Sequence, residues 1–95
     1  MPAYLVVQVK ITDETQYSKY REAVRPLIAK FGGKRLAGGA TVEALEGQHD
    51  GRGLILFEFP SMDVIREWWN SPDYAAVKAL RLGAAILDIW AIPGA

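Results

Sequence analysis

The stretch that decides the fold is RGLILFEFPSMDVIREWW, which covers residues 52–69. Its first part, Arg52 to Phe59, is an apolar run of high strand propensity and predicts a β-strand. Pro60 ends this strand, because proline has no backbone N–H group to donate to a sheet. Ser61 is a favourable N-cap residue, and the apolar residues after it recur at helical spacing. The stretch therefore predicts a strand that leads directly into a helix.

The N-terminal part of the chain has the same order of a strand and a helix. Ala3 to Ile11 is short, apolar and rich in β-branched residues, so it predicts the first strand. Asp13 follows as an N-cap, with Gln16 three residues later as in a capping box. The buried stripe of the predicted helix comprises Tyr17, Tyr20, Val24, Leu27, Ile28 and Phe31. Gly32-Gly33 ends this helix.

Residues 34–59 supply the two middle strands. Lys34 to Glu46 contains two strand-like pieces that are separated by Gly38-Gly39. The glycine pair predicts a bulge, or a point where another group approaches the backbone closely. Residues 47–51 form a cluster of turn-forming residues. Residues 42–59 therefore predict a β-hairpin with a longer loop.

The C-terminal part adds more helix and the last strand. Ser71 is an N-cap residue and Pro72 suits the first helical position, so helix restarts here and continues to Gly83. Ala85 to Ile92 alternates in the manner of a strand. The order β-α-β-β-α-β is typical of a ferredoxin-like fold of the α+β class, in which a four-stranded antiparallel sheet carries two helices on one face.

The sheet face that points away from the helices is also predicted to be apolar. Its members include Tyr4, Val6, Leu54, Leu56, Ile86, Trp90 and Ile92. A contiguous apolar patch of this kind is unusual on a soluble monomer. A second copy of the chain, related by a two-fold axis, would cover it. The sequence therefore predicts a homodimer.

Composition narrows the classes of function. The 95 residues allow one domain, residues 1–95, and 51% of them are hydrophobic. Eleven Lys and Arg balance eleven Asp and Glu, which argues against nucleic acid as a partner. Because there is no cysteine and only one histidine, we expect neither a metal nor another cofactor. Without a membrane-length apolar run or a basic leader, the sequence predicts a cytoplasmic protein that does not enter a membrane.

Three polar residues, Gln8, Glu58 and Asp88, are predicted on the outer, otherwise apolar face of the sheet. In this topology the first strand lies between the third and the fourth and is antiparallel to both, which places Tyr4 near Glu58. A carboxylate in an apolar dimer interior is suited to act as a general base or acid, so Glu58 is the candidate catalytic residue. The alternative is an ion-paired or hydrogen-bonded residue near the rim of the interface.

The helices carry more large aromatic residues than a core of this size needs. They are Tyr17, Tyr20, Trp68, Trp69 and Tyr74. Trp68 and Trp69 are adjacent and point about 100° apart, so only one of them faces the sheet squarely. Phenol and indole donors suit a planar or apolar ligand, and Arg81 or Arg35 could bind its anionic group. The alternative is an ordinary core plus an interface.

The single histidine, His49, lies in the turn cluster beside Asp50. Side chains of neighbouring residues diverge, so a catalytic pair of these two is not favoured. We expect His49 to be exposed to solvent in its loop.

Motifs spread through almost the whole chain are similar to those of a known family. They are Tyr4, Asp13 with Tyr17 and Tyr20, Gly32-Gly33, Gly38-Gly39, Glu46-Gly47, Glu58-Phe59-Pro60-Ser61, and Ser71-Pro72-Asp73-Tyr74 followed by Arg81. On these residues the chain resembles the small bacterial proteins of domain-of-unknown-function family 1330, in the dimeric α/β-barrel superfamily. Two positions depart from the family pattern: Ala37, where members often carry arginine, and Trp69, where they often carry tyrosine.

The resemblance implies a ferredoxin-like protomer and a dimer in which two sheets pack face to face. Relatives in the superfamily include cofactor-independent monooxygenases, muconolactone isomerases and haem-degrading enzymes, which usually act in the cleft between helices and sheet. The resemblance does not supply a reaction, because one fold hosts many functions.

Two functional hypotheses follow. In the first, each protomer binds a small hydrophobic or aromatic metabolite in the helix–sheet cleft, with cofactor-independent oxidation or proton transfer as the activity. Its ligand-binding residues are Tyr17, Tyr20, Trp69, Tyr74 and Arg81, and Glu58 is its proton-transfer residue. In the second, the protein is a non-catalytic module that binds a metabolite or assembles with itself. The sequence does not decide whether the protein is an enzyme.

Overall fold

The computed structural model describes residues 1–39 and 42–95. Its elements are, in order, β1 (Ala3–Ile11), α1 (Glu14–Lys30), β2 (Lys34–Gly39), β3 (Gly53–Phe59), α2 (Met62–Trp69), α3 (Pro72–Lys78), a short 3-10 turn (Ala79–Arg81) and β4 (Ala85–Pro93). The four strands form one antiparallel sheet in the order β2-β3-β1-β4. The predicted α+β ferredoxin-like fold is confirmed, with the second helical segment divided into α2 and α3.

The predicted hairpin over residues 42–59 is wrong in its first arm. β3 pairs with β2, and residues 42–46 form no strand. The reason is that β3 has two edges, of which β1 occupies one and β2 the other, so no edge is left for residues 42–46. The part of this prediction that concerns residues 40 and 41 lies outside the described residues.

The glycine pair Gly38-Gly39 belongs to β2 and does not interrupt it. The two glycines pair with Ile55 and Leu54 of β3. The register shift lies earlier, at Leu36. Because the extra residue is absorbed there, both glycines keep their cross-strand partners.

Side-chain caps fix the start of each α-helix. Asp13 Oδ1 accepts a hydrogen bond from the backbone N–H three residues later, at 3.1 Å. Ser61 Oγ and Ser71 Oγ accept equivalent bonds at 3.2 and 3.1 Å. Each cap satisfies a backbone donor that has no partner within its helix. The three predicted N-caps are confirmed.

The capping box predicted for Asp13 and Gln16 is only half formed. The backbone N–H of Asp13 donates to Ala84 O at 3.0 Å, so it does not need the Gln16 side chain. Gln16 Nε2 donates instead to the carbonyl oxygens of Leu80 and Leu82, at 3.2 and 2.7 Å. These bonds join the start of α1 to the turn before β4.

The core lies between the sheet and the helices, and aromatic residues occupy its centre. Phe59, Trp68 and Tyr74 are its largest fully buried side chains. The ring centroids of Phe59 and Trp68 are 5.6 Å apart, and those of Trp68 and Tyr74 are 4.2 Å apart. The Tyr74 hydroxyl lies 3.0 Å from the Tyr20 hydroxyl in a buried hydrogen bond. A continuous aromatic series therefore connects β3 through α2 and α3 to α1.

The outer face of the sheet, on the side away from the helices, is apolar and accessible in the protomer. Trp90, Ile92 and Ile86 of β4 are 46%, 49% and 57% exposed. The predicted neighbours Tyr4 and Glu58 are direct cross-strand partners on this face. Large apolar side chains grouped on one face fit the predicted homodimer.

We expect Trp90→Asp to weaken the dimer by raising its dissociation constant roughly thirtyfold or more, because loss of an aromatic hot spot costs about 2 kcal/mol. Sedimentation over a concentration series measures this constant. Leu82→Asp, in the exposed turn before β4, is the matched control. A wild-type monomer, or a variant that dimerises as tightly as the wild type, would contradict the dimer prediction.

We expect Tyr74→Phe to lower the free energy of unfolding by about 1–3 kcal/mol, because the buried Tyr20 hydroxyl loses its partner. The double variant Tyr20→Phe/Tyr74→Phe should lose less than the sum of the single losses, since it leaves no hydroxyl unpaired. Urea unfolding measures these energies, and Tyr4→Phe on the outer face is the control. Strictly additive losses would show that the two hydroxyls do not interact.

Candidate functional site

A cavity of about 710 Å³ lies between α1 and the inner face of the sheet. Its sheet wall consists of Leu5, Val7, Val9, Ile11, Ile55, Phe57, Leu87 and Ile89. Its helix wall consists of Tyr17, Tyr20, Val24 and Ile28 of α1, together with Trp68 of α2. The volume lies in the range of small-molecule sites, and the walls are mostly apolar, as in such sites.

Two sequence periodicities produce these walls. Alternate residues of β1, from Leu5 to Ile11, share the inner face of the sheet. Tyr17, Tyr20 and Val24 are three or four residues apart and share one face of α1. The two apolar surfaces face each other, and the cavity is the space between them.

The tyrosines give the helix wall its polar groups. The rings of Tyr17 and Tyr20 lie with their centroids 5.4 Å apart. Burial raises the pKa of Tyr17 above its usual range, although the nearby Arg21 opposes this increase. Burial also raises the pKa of Tyr20, and the hydrogen-bonded Tyr74 hydroxyl adds to the increase. Both phenols are therefore protonated near neutral pH and act as hydrogen-bonding groups, not as bases.

All charged residues that line the cavity are basic. They are Arg21, Arg25, Lys34 and Arg35, and no Asp or Glu lines it among residues 1–39 and 42–95. Arg21 forms an ion pair with Glu14 at 3.0 Å, and its guanidinium carbon lies 5.2 Å from the centroid of the Tyr17 ring. The Lys34 ammonium group pairs with Glu58 on the outer side of the sheet, so the positive charge that faces the cavity comes from the three arginines.

Two of the five predicted ligand-binding residues, Tyr17 and Tyr20, line the cavity. Tyr74 is buried behind Tyr20, and the Trp69 ring lies against it with centroids 5.3 Å apart. The guanidinium carbon of Arg81 lies 5.7 Å from the centroid of the Tyr20 ring. The five residues form one connected cluster, in which Trp69, Tyr74 and Arg81 lie outside the cavity lining.

Glu58, the predicted catalytic residue, lies on the other side of the sheet from the cavity. Its cross-strand partner Tyr4 belongs to the outer face, whereas the neighbouring Phe57 lines the cavity. The Glu58 side chain is 28% exposed, and its Oε1 lies 3.5 Å from Lys34 Nζ. The sheet therefore separates this carboxylate from the tyrosines of the cavity.

Sequence reasoning did not identify Arg21, Arg25 or Trp68 as cavity residues. Arg21 and Arg25 flank the apolar stripe of α1, where charged side chains normally face solvent. Their spacing of four residues puts them on one helix face. This spacing is the sequence feature that could have indicated a basic surface beside the apolar stripe. Trp68 is 1% exposed, so it is the tryptophan of the adjacent pair that is buried in the core, while Trp69 is half-buried.

His49 is less exposed than predicted. Only 20% of its side chain is accessible to solvent. Its Nδ1 accepts a hydrogen bond from the Gly51 backbone N–H at 3.1 Å, which turns the ring back onto its own loop. The adjacent Arg52 forms ion pairs with Asp50 and Asp88. None of these residues belongs to the cavity lining.

Over the described ranges, 1–39 and 42–95, no cluster of three or more His, Asp or Glu side chains is arranged to hold a metal ion. In the same part of the chain, no helix has the length and apolar character needed to cross a membrane. The candidate site therefore depends on aromatic, apolar and basic side chains.

Several solved structures have a similar fold. A protein of unknown function from Rhodopseudomonas palustris has a TM-score of 0.77 at 19% identity, over 99% of this chain and 82% of that chain. A dimeric protein of unknown function with a ferredoxin-like fold from Bacteroides fragilis has a TM-score of 0.65 at 15% identity, over 98% and 96%. A dimeric ferredoxin-like protein of unknown function from Jannaschia has a TM-score of 0.70 at 11% identity, over 99% and 100%. At these identities the similarity shows a shared fold.

No curated protein matches the chain. The model of a domain of unknown function, DUF1330, matches residues 2–95. This match extends over almost the whole chain and confirms the resemblance carried by the sequence motifs. The chain therefore belongs to the DUF1330 family.

Proposed function

We propose that the protein binds a small hydrophobic or aromatic metabolite in the cavity between α1 and the sheet. The observation that carries this proposal is the cavity itself, which has about 710 Å³ of space between apolar walls. Protein interiors are close-packed, and apolar surfaces that stay apart forgo contacts that would stabilise the fold. A cavity of this volume is therefore better explained by a ligand than by packing.

The proposed functional unit is a homodimer with one cavity in each protomer. The apolar outer face supports this assembly, as do the similar proteins from Bacteroides fragilis and Jannaschia, which are described as dimeric. Contact through the outer face leaves the cavity on the inner face of each sheet accessible. Each protomer would thus bind its ligand independently of the contact that joins the two sheets.

The lining favours binding over acid–base catalysis within the cavity. No Asp, Glu or His belongs to the lining in the part of the chain that the structure describes, and both tyrosines are protonated near neutral pH. Proton transfer needs a group that ionises near the working pH. We therefore propose a metabolite-binding module first, and cofactor-independent oxidation of the bound ligand as the activity to test second. Proton transfer by Glu58 would have to take place on the outer face.

A thermal-shift screen against a metabolite library should find ligands that raise the unfolding midpoint, because a ligand that binds only the folded state stabilises it. Ile55→Trp should reduce the shift, since the larger indole takes up part of the cavity from the sheet wall. Ala76→Trp introduces the same side chain at an exposed position of α3 and should keep the shift. A folded wild-type protein that no ligand stabilises, or a shift that Ile55→Trp leaves unchanged, would contradict the proposal.

We expect Glu58→Gln to leave the affinity of a cavity ligand within about twofold, because the sheet separates this side chain from the cavity. The lost ion pair with Lys34 should change the free energy of unfolding by less than about 1 kcal/mol, as for other exposed pairs. Calorimetric titration and urea unfolding measure the two quantities. An affinity loss of tenfold or more would show that Glu58 belongs to the binding site. If the ligand is turned over, a loss of turnover alone would assign the chemistry to the outer face.

A further inference from the structure

We infer that the ligand of the cavity is an amphipathic anion, whose acidic group is bound by Arg25 and Arg35 and whose apolar body lies against the sheet. This inference rests on the proposed function, because it names the ligand class of the same cavity.

Basic side chains from two elements, α1 and β2, line the cavity. Arg21 and Arg25 are four residues apart on α1 and share a helix face. Arg35 lies on the edge strand β2 opposite Phe57, and cross-strand partners share a face of the sheet, so Arg35 belongs to the cavity side. Arg25 and Arg35 are exposed, whereas the lining residues of β1 are mostly buried. The mouth of the cavity therefore lies between α1 and the β2 edge.

Gly38 leaves room for the Arg35 guanidinium beside the strand. A Cβ atom at residue 38 would lie 2.9 Å from Arg35 Nη2 and 3.2 Å from its Nε. The guanidinium therefore lies beside the backbone of β2, on the cavity side of the sheet.

Within residues 1–39 and 42–95, the two arginines at the mouth, Arg25 and Arg35, form no ion pair, whereas Arg21 and Lys34 each pair with a glutamate. A guanidinium group presents a planar fork of N–H donors that matches the oxygens of a carboxylate or a sulfonate. An acidic group on the ligand would supply the charge that the lining itself does not provide.

The inner walls define the rest of the ligand. Behind the mouth, the sheet contributes aliphatic side chains and the ring of Phe57. A small inorganic anion would leave these walls in contact with water, whereas a ligand with an alkyl chain or an aromatic ring system would bury them. A neutral apolar molecule would bury the walls but leave both guanidinium groups without a counter-charge. An amphipathic anion satisfies both parts of the cavity.

The test uses two dyes that share an N-phenylnaphthylamine body, of which only one is charged. These are 8-anilino-1-naphthalenesulfonate and the neutral N-phenyl-1-naphthylamine. We expect the full-length protein to bind the sulfonate about tenfold more tightly at low ionic strength, and this advantage to shrink as salt is added. Arg25→Gln/Arg35→Gln should remove most of the advantage, because it weakens binding of the sulfonate far more than binding of the neutral dye.

The matched control is Lys19→Gln/Arg66→Gln, which neutralises two exposed cations outside the cavity lining and should keep the advantage. Equal affinity for the two dyes would overturn the inference and leave the proposed function standing. Failure of both dyes to bind, or binding that Ile55→Trp does not reduce, would count against the proposed function as well.

A competition experiment with decanoate and 1-decanol tests the same ligand class without a dye sulfonate. We expect decanoate to displace the sulfonate dye at a lower concentration than 1-decanol does, and the opposite order would overturn the inference.

Discussion

The series of aromatic contacts between the sheet and α1 determines where α1 lies, and the cavity depends on that position. Phe59 contacts Trp68, Trp68 contacts Tyr74, and the Tyr74 hydroxyl is hydrogen-bonded to Tyr20 of α1. These contacts hold α1 from the side of α2 and α3, so its opposite side lies towards the edge strand β2. At the end of α1 the chain approaches the sheet closely, because a Cβ at Gly33 would lie only 2.9 Å from the Phe59 ring. The helix is thus fixed at one side and at one end, and the cavity occupies the remaining space.

The central strand β1 divides the protein into two functional faces. Its inner residues, such as Leu5 and Val7, contribute to the core and to the cavity, whereas Tyr4 and Val6 lie on the outer face. Helices cover the first face, and a second copy of the chain is proposed to cover the other. Ligand binding and assembly therefore use opposite sides of the same sheet. This arrangement also explains why Glu58, one residue away from the cavity-lining Phe57, does not reach the cavity.

Much of the fold could be predicted from the sequence, because hydrophobic periodicity and capping residues report burial and element boundaries directly. The N-caps and the apolar outer face follow from such local signals, and the sheet order follows from the ferredoxin-like order of the elements. The hairpin at residues 42–59 was mispredicted because strand pairing is a competition for free edges, which local propensity does not describe. The site was harder to predict for a similar reason: periodicity identifies which residues of α1 face the sheet, and not the distance between the two surfaces. Tyr17 and Tyr20 were found through their spacing, whereas Arg21 and Arg25 look like a solvated flank until the cavity beside them is known.

A crystal structure of the protein with bound 8-anilino-1-naphthalenesulfonate would show whether the cavity between α1 and the sheet is the ligand site. We expect the naphthalene rings between α1 and the sheet, in contact with Tyr17, Tyr20 and Ile55, and the sulfonate oxygens within hydrogen-bonding distance of Arg25 or Arg35. A dye located on the outer face of the sheet, or a cavity that collapses and excludes the dye, would contradict this expectation.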